Sequence, residues 1–137
     1  RGEHVVLVHV IRKYDRPDPE IVRSFEQFSS ATIYESMGKQ GAVDHTIKAV
    51  YPGCKVCGVA VTVQGWPGDN LMVHKAISLL EPGDVLVANV GGYLEAGGWG
   101  EIATTASMAR GCVGYICDGA VRDVEEVKEL GFPVFAP

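Results

Sequence analysis

An α/β fold is predicted by three features of this chain. Short β-branched runs alternate with segments of helical period. Two of the runs, residues 85–90 and 113–117, are almost continuously apolar, as strands buried on both faces are. Each of those runs is followed by a glycine-bearing turn that opens a helix, so parallel crossovers are expected in the second half of the chain.

His4 to Ile11 is rich in β-branched residues and reads as a strand. Asp18-Pro19 has the chemistry of a helix start, and Ile21, Phe25 and Phe28 recur as one apolar stripe that the helix should bury. A shorter helix is expected over Ala31–Met37, with Gly38 as a left-handed cap. Residues 39–54 show no clean period and read as loop with short extended pieces. Gly58–Gln64 alternates valine with small residues and should be a strand. The turn Trp66-Pro67-Gly68-Asp69 leads into a helix from Asn70 to about Leu80, with Leu71, His74, Ile77 and Leu80 on one face. Pro82-Gly83-Asp84 turns the chain into the strand 85–90. The glycine-rich loop 91–100 then opens a helix from Glu101 to Arg110, with Ile102, Ala106 and Ala109 inward and Gly111 ending it. After the strand 113–117, Asp118-Gly119 leads to Arg122-Asp123 and a last helix, about Val124–Leu130, stopped by Gly131. Pro133-Val134-Phe135 begins a further strand.

With 137 residues the chain makes one domain at most. A net charge of −5 without a basic run argues against nucleic acid or an anionic membrane as the main partner. The longest apolar runs fall far short of the roughly 20 residues that span a bilayer. The start lacks Met and the end is Phe135-Ala136-Pro137, which reads as a processed or incomplete chain. Cys54 and Cys57 have the spacing of half a zinc knuckle, but Cys112 and Cys117 are four residues apart and do not complete it. The four cysteines read as small, half-buried residues of a reducing cytoplasm.

The chemically pointed set is Gly-Gly-Trp-Gly-Glu at 97–101 with Arg122-Asp123, twenty residues separating Glu101 from the arginine. If strands 85–90 and 113–117 are neighbours, both turns lie at one carboxyl edge of the sheet, where α/β proteins place ligands. The free N–H groups of Ile102 and Ala103 can bind an anion at the helix start, and Arg122 would meet the same anion. Asp123 and Glu101 are hard oxygen ligands suited to Mg²⁺ or Mn²⁺. The competing reading is structural. Asp123 with Glu126 fits a capping box, and Glu101 favours the helix dipole without any function.

Other chemistries fit less well. The run 91–100 matches neither a dinucleotide fingerprint nor a phosphate loop. Ser36, Ser78 and Ser107 sit in helical pattern rather than on a nucleophile elbow. His74 reads as a packed or interface histidine. Lysine falls in none of the expected core strands, which disfavours Schiff-base chemistry.

Pro67-Gly68-Asp69-Asn70-Leu71-Met72-Val73-His74, Trp99-Gly100-Glu101 and Asp118-Gly119-Ala120-Val121-Arg122-Asp123 together resemble the class II pyruvate aldolases of the RraA-like superfamily. Those enzymes cleave 4-hydroxy-4-methyl-2-oxoglutarate and 4-carboxy-4-hydroxy-2-oxoadipate, and the other branch contains regulators that bind ribonuclease E. The likeness runs from about Val22 to the last residue, and Glu126 matches an acid that the family carries soon after Arg-Asp. The resemblance implies a swivelling β/β/α fold over 1–137 that lacks the family's C-terminal part. It also implies trimers or hexamers with sites at subunit interfaces.

By the same resemblance, Gly100, Glu101, Ile102 and Ala103 would embrace the pyruvyl part of a 2-oxo acid substrate. Arg122 would pair with its carboxylate and carbonyl oxygen, Asp123 would be the direct metal ligand, and Glu101 would act on the metal through water. The implied reaction is retro-aldol: the C4 hydroxyl loses its proton, the C3–C4 bond breaks, and a pyruvate enolate forms. Oxaloacetate decarboxylation passes through the same enolate and is the implied side activity. The chain departs from the family in carrying Glu101 where Asp is usual, and a later acid supplied by the neighbouring subunit falls beyond Pro137. The regulators lack an acid at position 101, so Glu101 points to the enzyme branch; a regulator that binds a protein partner such as ribonuclease E is the alternative.

Overall fold

The computed structural model describes residues 8–137. Half of the strand expected over His4–Ile11 lies outside the described residues, and Val8–Ile11 form no strand. The remainder builds a five-stranded sheet of order β1-β5-β4-β3-β2. Strands β2 (Val59–Gln64), β3 (Asp84–Asn89), β4 (Gly114–Cys117) and β5 (Val134–Ala136) run parallel, and the short β1 (Lys48–Ala49) lies antiparallel to β5. The connections between the parallel strands carry α3 (Leu71–Ile77), α4 (Glu101–Ala109) and α5 (Val124–Glu129), which touch in sequence order. Three successive β-α-β units thus step across the sheet in one direction, as the alternation predicts.

The amino-terminal helices depart from expectation. α1 covers only Pro19–Ser24 and passes into a 3-10 turn at Phe25–Gln27, while Phe28 is extended. The Ser24 hydroxyl donates to the Ile21 carbonyl and the Gln27 amide to that of Ser24, local bonds that compete with continued helix. The 3.6-residue phase is lost, and Ile21, Phe25 and Phe28 stay 57%, 44% and 48% exposed rather than buried as a stripe. α2 (Ser30–Ser36) ends as expected, with Gly38 at φ +69.

The buried face departs from the one the apolar pattern suggests in two helices, partly in α3, where Ile77 and Leu80 are buried as expected, and wholly in α4. α3 stops at Ile77, and Val73, Ala76, Ile77 and the following Leu80 are buried while Leu71 and His74 are exposed. His74 is therefore not packed within the chain, which overturns that half of its reading as a packed or interface histidine. α4 turns Ala103, Thr104 and Ser107 inward, and Ile102, Ala106 and Ala109 face outward. Thr104 wins a core position over Ile102 because its hydroxyl accepts from Trp99 Nε1 at 2.9 Å, which satisfies both buried polar groups. Trp99 in turn stacks on Tyr115 with ring centroids 3.6 Å apart, pinning the end of the glycine-rich loop to the middle strand.

At the other end of β3, Asp84 is completely buried. Arg16 reaches it from the extended amino-terminal segment with both terminal nitrogens and bonds Glu81 through Nε at 3.2 Å. The Glu81 N–H donates to the same carboxylate at 2.8 Å. The hydrogen bond to Asp84 holds the Arg16 guanidinium above its ordinary range. Among the described residues, no helix is long and apolar enough to cross a membrane.

Candidate active site

β3 and β4 are adjacent and in parallel register, Val85 opposite Gly114 and Ala88 opposite Cys117. Their carboxyl ends therefore place the loop 90–100 and the turn 118–123 side by side. The two segments then zip together. Ala120 N–H donates to the Tyr93 carbonyl at 3.1 Å, Gly98 N–H to Ala120 at 3.2 Å, and Arg122 N–H to Trp99 at 2.9 Å. A parallel bridge links Trp99 with Val121. This contact brings Glu101, Arg122 and Asp123 to one place.

Asp123 does not do what a capping box would require. It sits in the left-handed region at φ 56, ψ 41 and makes no side-chain cap on α5. Its Oδ2 instead accepts the backbone N–H of Glu101 at 3.1 Å, across the cleft at the start of α4. The capping-box reading of Asp123 and Glu126 is thus overturned, for a physical reason: the left-handed backbone points the carboxylate away from its own helix. A non-glycine residue at positive φ carries strain that its surroundings must hold in place, and such strain clusters at functional sites.

Gly100 is required here by space rather than by φ. Its backbone is extended at φ −165, but a Cβ would overlap Asp123 Oδ2 and lie 3.0 Å from Arg122 Cγ. Gly100→Ala is therefore expected to expel the Asp123 carboxylate from the Glu101 N–H. The cost should be about 1.5–3 kcal/mol, as for a hydrogen bond to a charged group. Chemical denaturation and the amide shift of Glu101 measure it; an unchanged Glu101 amide contradicts the steric account.

Glu101, Ile102 and Ala103 form the first turn of α4, whose N–H groups have no partner within the helix. Asp123 takes the first of them, so Ile102 and Ala103 remain to bind an anion. The Arg122 side chain is 66% exposed, with Nε 3.5 Å from Asp123 Oδ2, and its guanidinium is available to a ligand. Glu101 is exposed on the same turn. No group of three His, Cys, Asp or Glu side chains suited to a metal ion is present among the described residues. The two carboxylates, Asp123 and Glu101, nonetheless fit a hydrated Mg²⁺-type cation, which keeps several waters and takes only one or two protein carboxylates.

The cysteines take no part. Burial pushes the Cys112 and Cys117 thiols up, Cys117 lying beneath the site with its Sγ toward the Gly119 carbonyl. All four cysteines are free; Cys54 and Cys57 are half-buried, as expected, whereas Cys112 and Cys117 are buried. Two residues are more important than their sequence context indicates. Asp118, in sequence a turn residue after a strand, accepts from Val90 N–H at 2.6 Å and from Gly92 N–H at 2.9 Å. Trp99, within a glycine run, is 1% exposed and anchors the loop.

A family model described as RraA-like, Aldolase/RraA, matches residues 30–137. A protein of Halalkalibacterium halodurans provisionally named 4-hydroxy-4-methyl-2-oxoglutarate aldolase is 32% identical over 116 residues, 85% of this chain and 55% of that protein. A solved structure from Streptomyces coelicolor, described as an unusual member of the RNase ES inhibitor RraA protein family, is 31% identical with a TM-score of 0.79. That match covers 90% of this chain and 65% of the Streptomyces chain. The RNA-processing inhibitor RraA from Thermus thermophilis, 24% identical with a TM-score of 0.71 over 80% of this chain and 66% of its own, shares the fold. The chain thus spans little more than half of the Halalkalibacterium relative. The mixed α/β sheet shared with the solved relatives and the family match across most of the sequence lead to one conclusion: this chain belongs to the RraA-like family.

Proposed function

We propose that this chain carries the pyruvate-binding site of a divalent-metal-dependent aldolase acting on 4-hydroxy-4-methyl-2-oxoglutarate or 4-carboxy-4-hydroxy-2-oxoadipate. The observation that supports it most is the orientation of Asp123, turned from its own helix toward the anion-binding start of α4. In this reading Asp123 holds Mg²⁺ or Mn²⁺ directly and Glu101 acts on it through water. The cation, when bound, supplies Lewis-acid stabilisation of the enolate oxygen. The Ile102 and Ala103 N–H groups bind the substrate carboxylate. Arg122 pairs with that carboxylate and with the oxygen that becomes the enolate. Glu101 orients the water that accepts the C4-hydroxyl proton as the C3–C4 bond breaks. Oxaloacetate, which yields the same enolate on losing CO₂, is the expected second substrate.

Leu94 and Ile102 are 58% and 74% exposed beside the site, which supports a homotrimer or hexamer in which a neighbouring subunit covers it. The chain with Mn²⁺ or Mg²⁺ should release pyruvate, followed through lactate dehydrogenase. Asp123→Ala should bring that release to background with either metal, and retained metal-dependent turnover would overturn the assignment. The second reading is a protein-binding regulator, favoured by the 31% identity to the Streptomyces protein. A chain that binds no 2-oxo acid with either metal, yet captures a protein partner, would decide for it.

A further inference from the structure

The carboxylate of Asp118 is half-buried at the end of β4 and touches none of the groups assigned to substrate or metal. Its two oxygens close on Val90 N–H and Gly92 N–H, at the point where β3 gives way to the glycine-rich loop. Gly91 and Gly92 are both left-handed, at φ 73 and 67, so the chain curls its amides around an acceptor. The next residue reinforces the clamp. A Cβ on Gly119 would overlap Val90 Cγ2, so the turn and the loop are in direct contact. From there the ladder continues through Ala120 to Tyr93, Gly98 to Ala120 and Arg122 to Trp99, ending at the Glu101 N–H held by Asp123.

We propose that Asp118 is the positioning residue of this site: it sets the register between loop 90–100 and turn 118–123, and so the spacing of the α4 amides from Arg122 and Asp123. The consequence for ligand binding rests on the reading given under Proposed function; the consequence for the loop does not. A carboxylate suits this position because both its oxygens accept. An asparagine at the same place presents an NH₂ to one of the two N–H groups, and a donor facing a donor makes no bond.

Two variants and two measurements test it. In Asp118→Asn, amide hydrogen exchange should lose about tenfold or more protection at Val90 and Gly92, and should also lose it at Gly98 and Glu101, further along the ladder. Asp118→Glu, which keeps both acceptors, should restore protection at Gly98 and Glu101 at least in part. Protection lost only at Val90 and Gly92, or unchanged everywhere, overturns the proposal. Should Asp118→Asn not fold, native-state exchange of the parent chain in low denaturant decides: the Val90, Gly92, Gly98 and Glu101 amides should open together as one unit, and opening of Gly98 and Glu101 independently of Val90 and Gly92 overturns the proposal. Oxalate, a planar mimic of the pyruvate enolate, is then titrated with Mn²⁺ by calorimetry. Binding to the parent chain and at least tenfold weaker binding to Asp118→Asn supports the functional consequence, and equal binding refutes it. If the parent chain binds no oxalate while the exchange pattern appears as described, the aldolase reading fails and the positioning role stands.

Discussion

Arg122→Ala is expected, on the aldolase reading proposed above, to lower kcat for pyruvate release by roughly 100-fold, the lower end of what one preorganised charge stabiliser contributes. The lower end applies because the guanidinium is 66% exposed, and water weakens its field. Charge on the carbonyl oxygen grows as the enolate forms, so the loss should fall on kcat more than on KM. Arg122→Lys should recover little, since an ammonium lacks the planar fork that can hold a carboxylate oxygen and an enolate oxygen together. The fold should survive both changes, because the packing of this residue runs through its backbone N–H to Trp99. Steady-state kinetics on oxaloacetate with Mn²⁺ measure the effect. A change confined to KM would make Arg122 a ground-state binding group only.

Arg16→Ala should be the most destabilising single change in the amino-terminal half, by about 3 kcal/mol. The substitution leaves the Asp84 carboxylate, 0% exposed, with the Glu81 N–H as its one remaining partner among the described residues. Removing one member of a buried pair costs about 3–5 kcal/mol, and the lower figure applies because the Arg16 side chain keeps 26% of its surface in water. Against a total stability of roughly 5–15 kcal/mol, that loss is large. Urea denaturation followed by Trp fluorescence reads it. The double variant Arg16→Ala/Asp84→Asn should regain much of the loss, because no charge is then stranded; failure to regain it would mean that Arg16 acts through packing rather than charge.

Much of the architecture was legible in the sequence. The strands β2 to β5 and their helices lie within a few residues of the expected positions, because valine-rich runs and glycine stops act locally. The left-handed stops at Gly38, Gly111 and Gly131 adopt the positive φ that their positions require. Helix faces were less legible. In α4 the apolar pattern chose Ile102, Ala106 and Ala109, and the fold chose Ala103, Thr104 and Ser107. Periodicity ranks side chains by hydrophobicity alone, whereas the core here also takes small polar groups: Thr104 bonded to Trp99 Nε1, and Ser107 with its Oγ unpartnered among the described residues. In α1 the apolar stripe stays exposed among the described residues, and local serine and glutamine bonds compete with continued helix.

For the site, the sequence by itself determined the residue types, their spacing and the ambiguity between ligand set and helix caps. It also carried the family likeness, because motif residues are contiguous within each turn. Only the tertiary structure removed the reading of Asp123 as the cap of its own helix. The parallel pairing of β3 with β4 brings residues 22 apart within hydrogen-bond reach, and the left-handed backbone at Asp123 directs its carboxylate to the Glu101 N–H. The Arg16–Asp84 pair spans 68 residues and left no trace in either local pattern. Local propensity is read along the chain, but an ion pair or a shared carboxylate depends on distances that only the packed sheet sets.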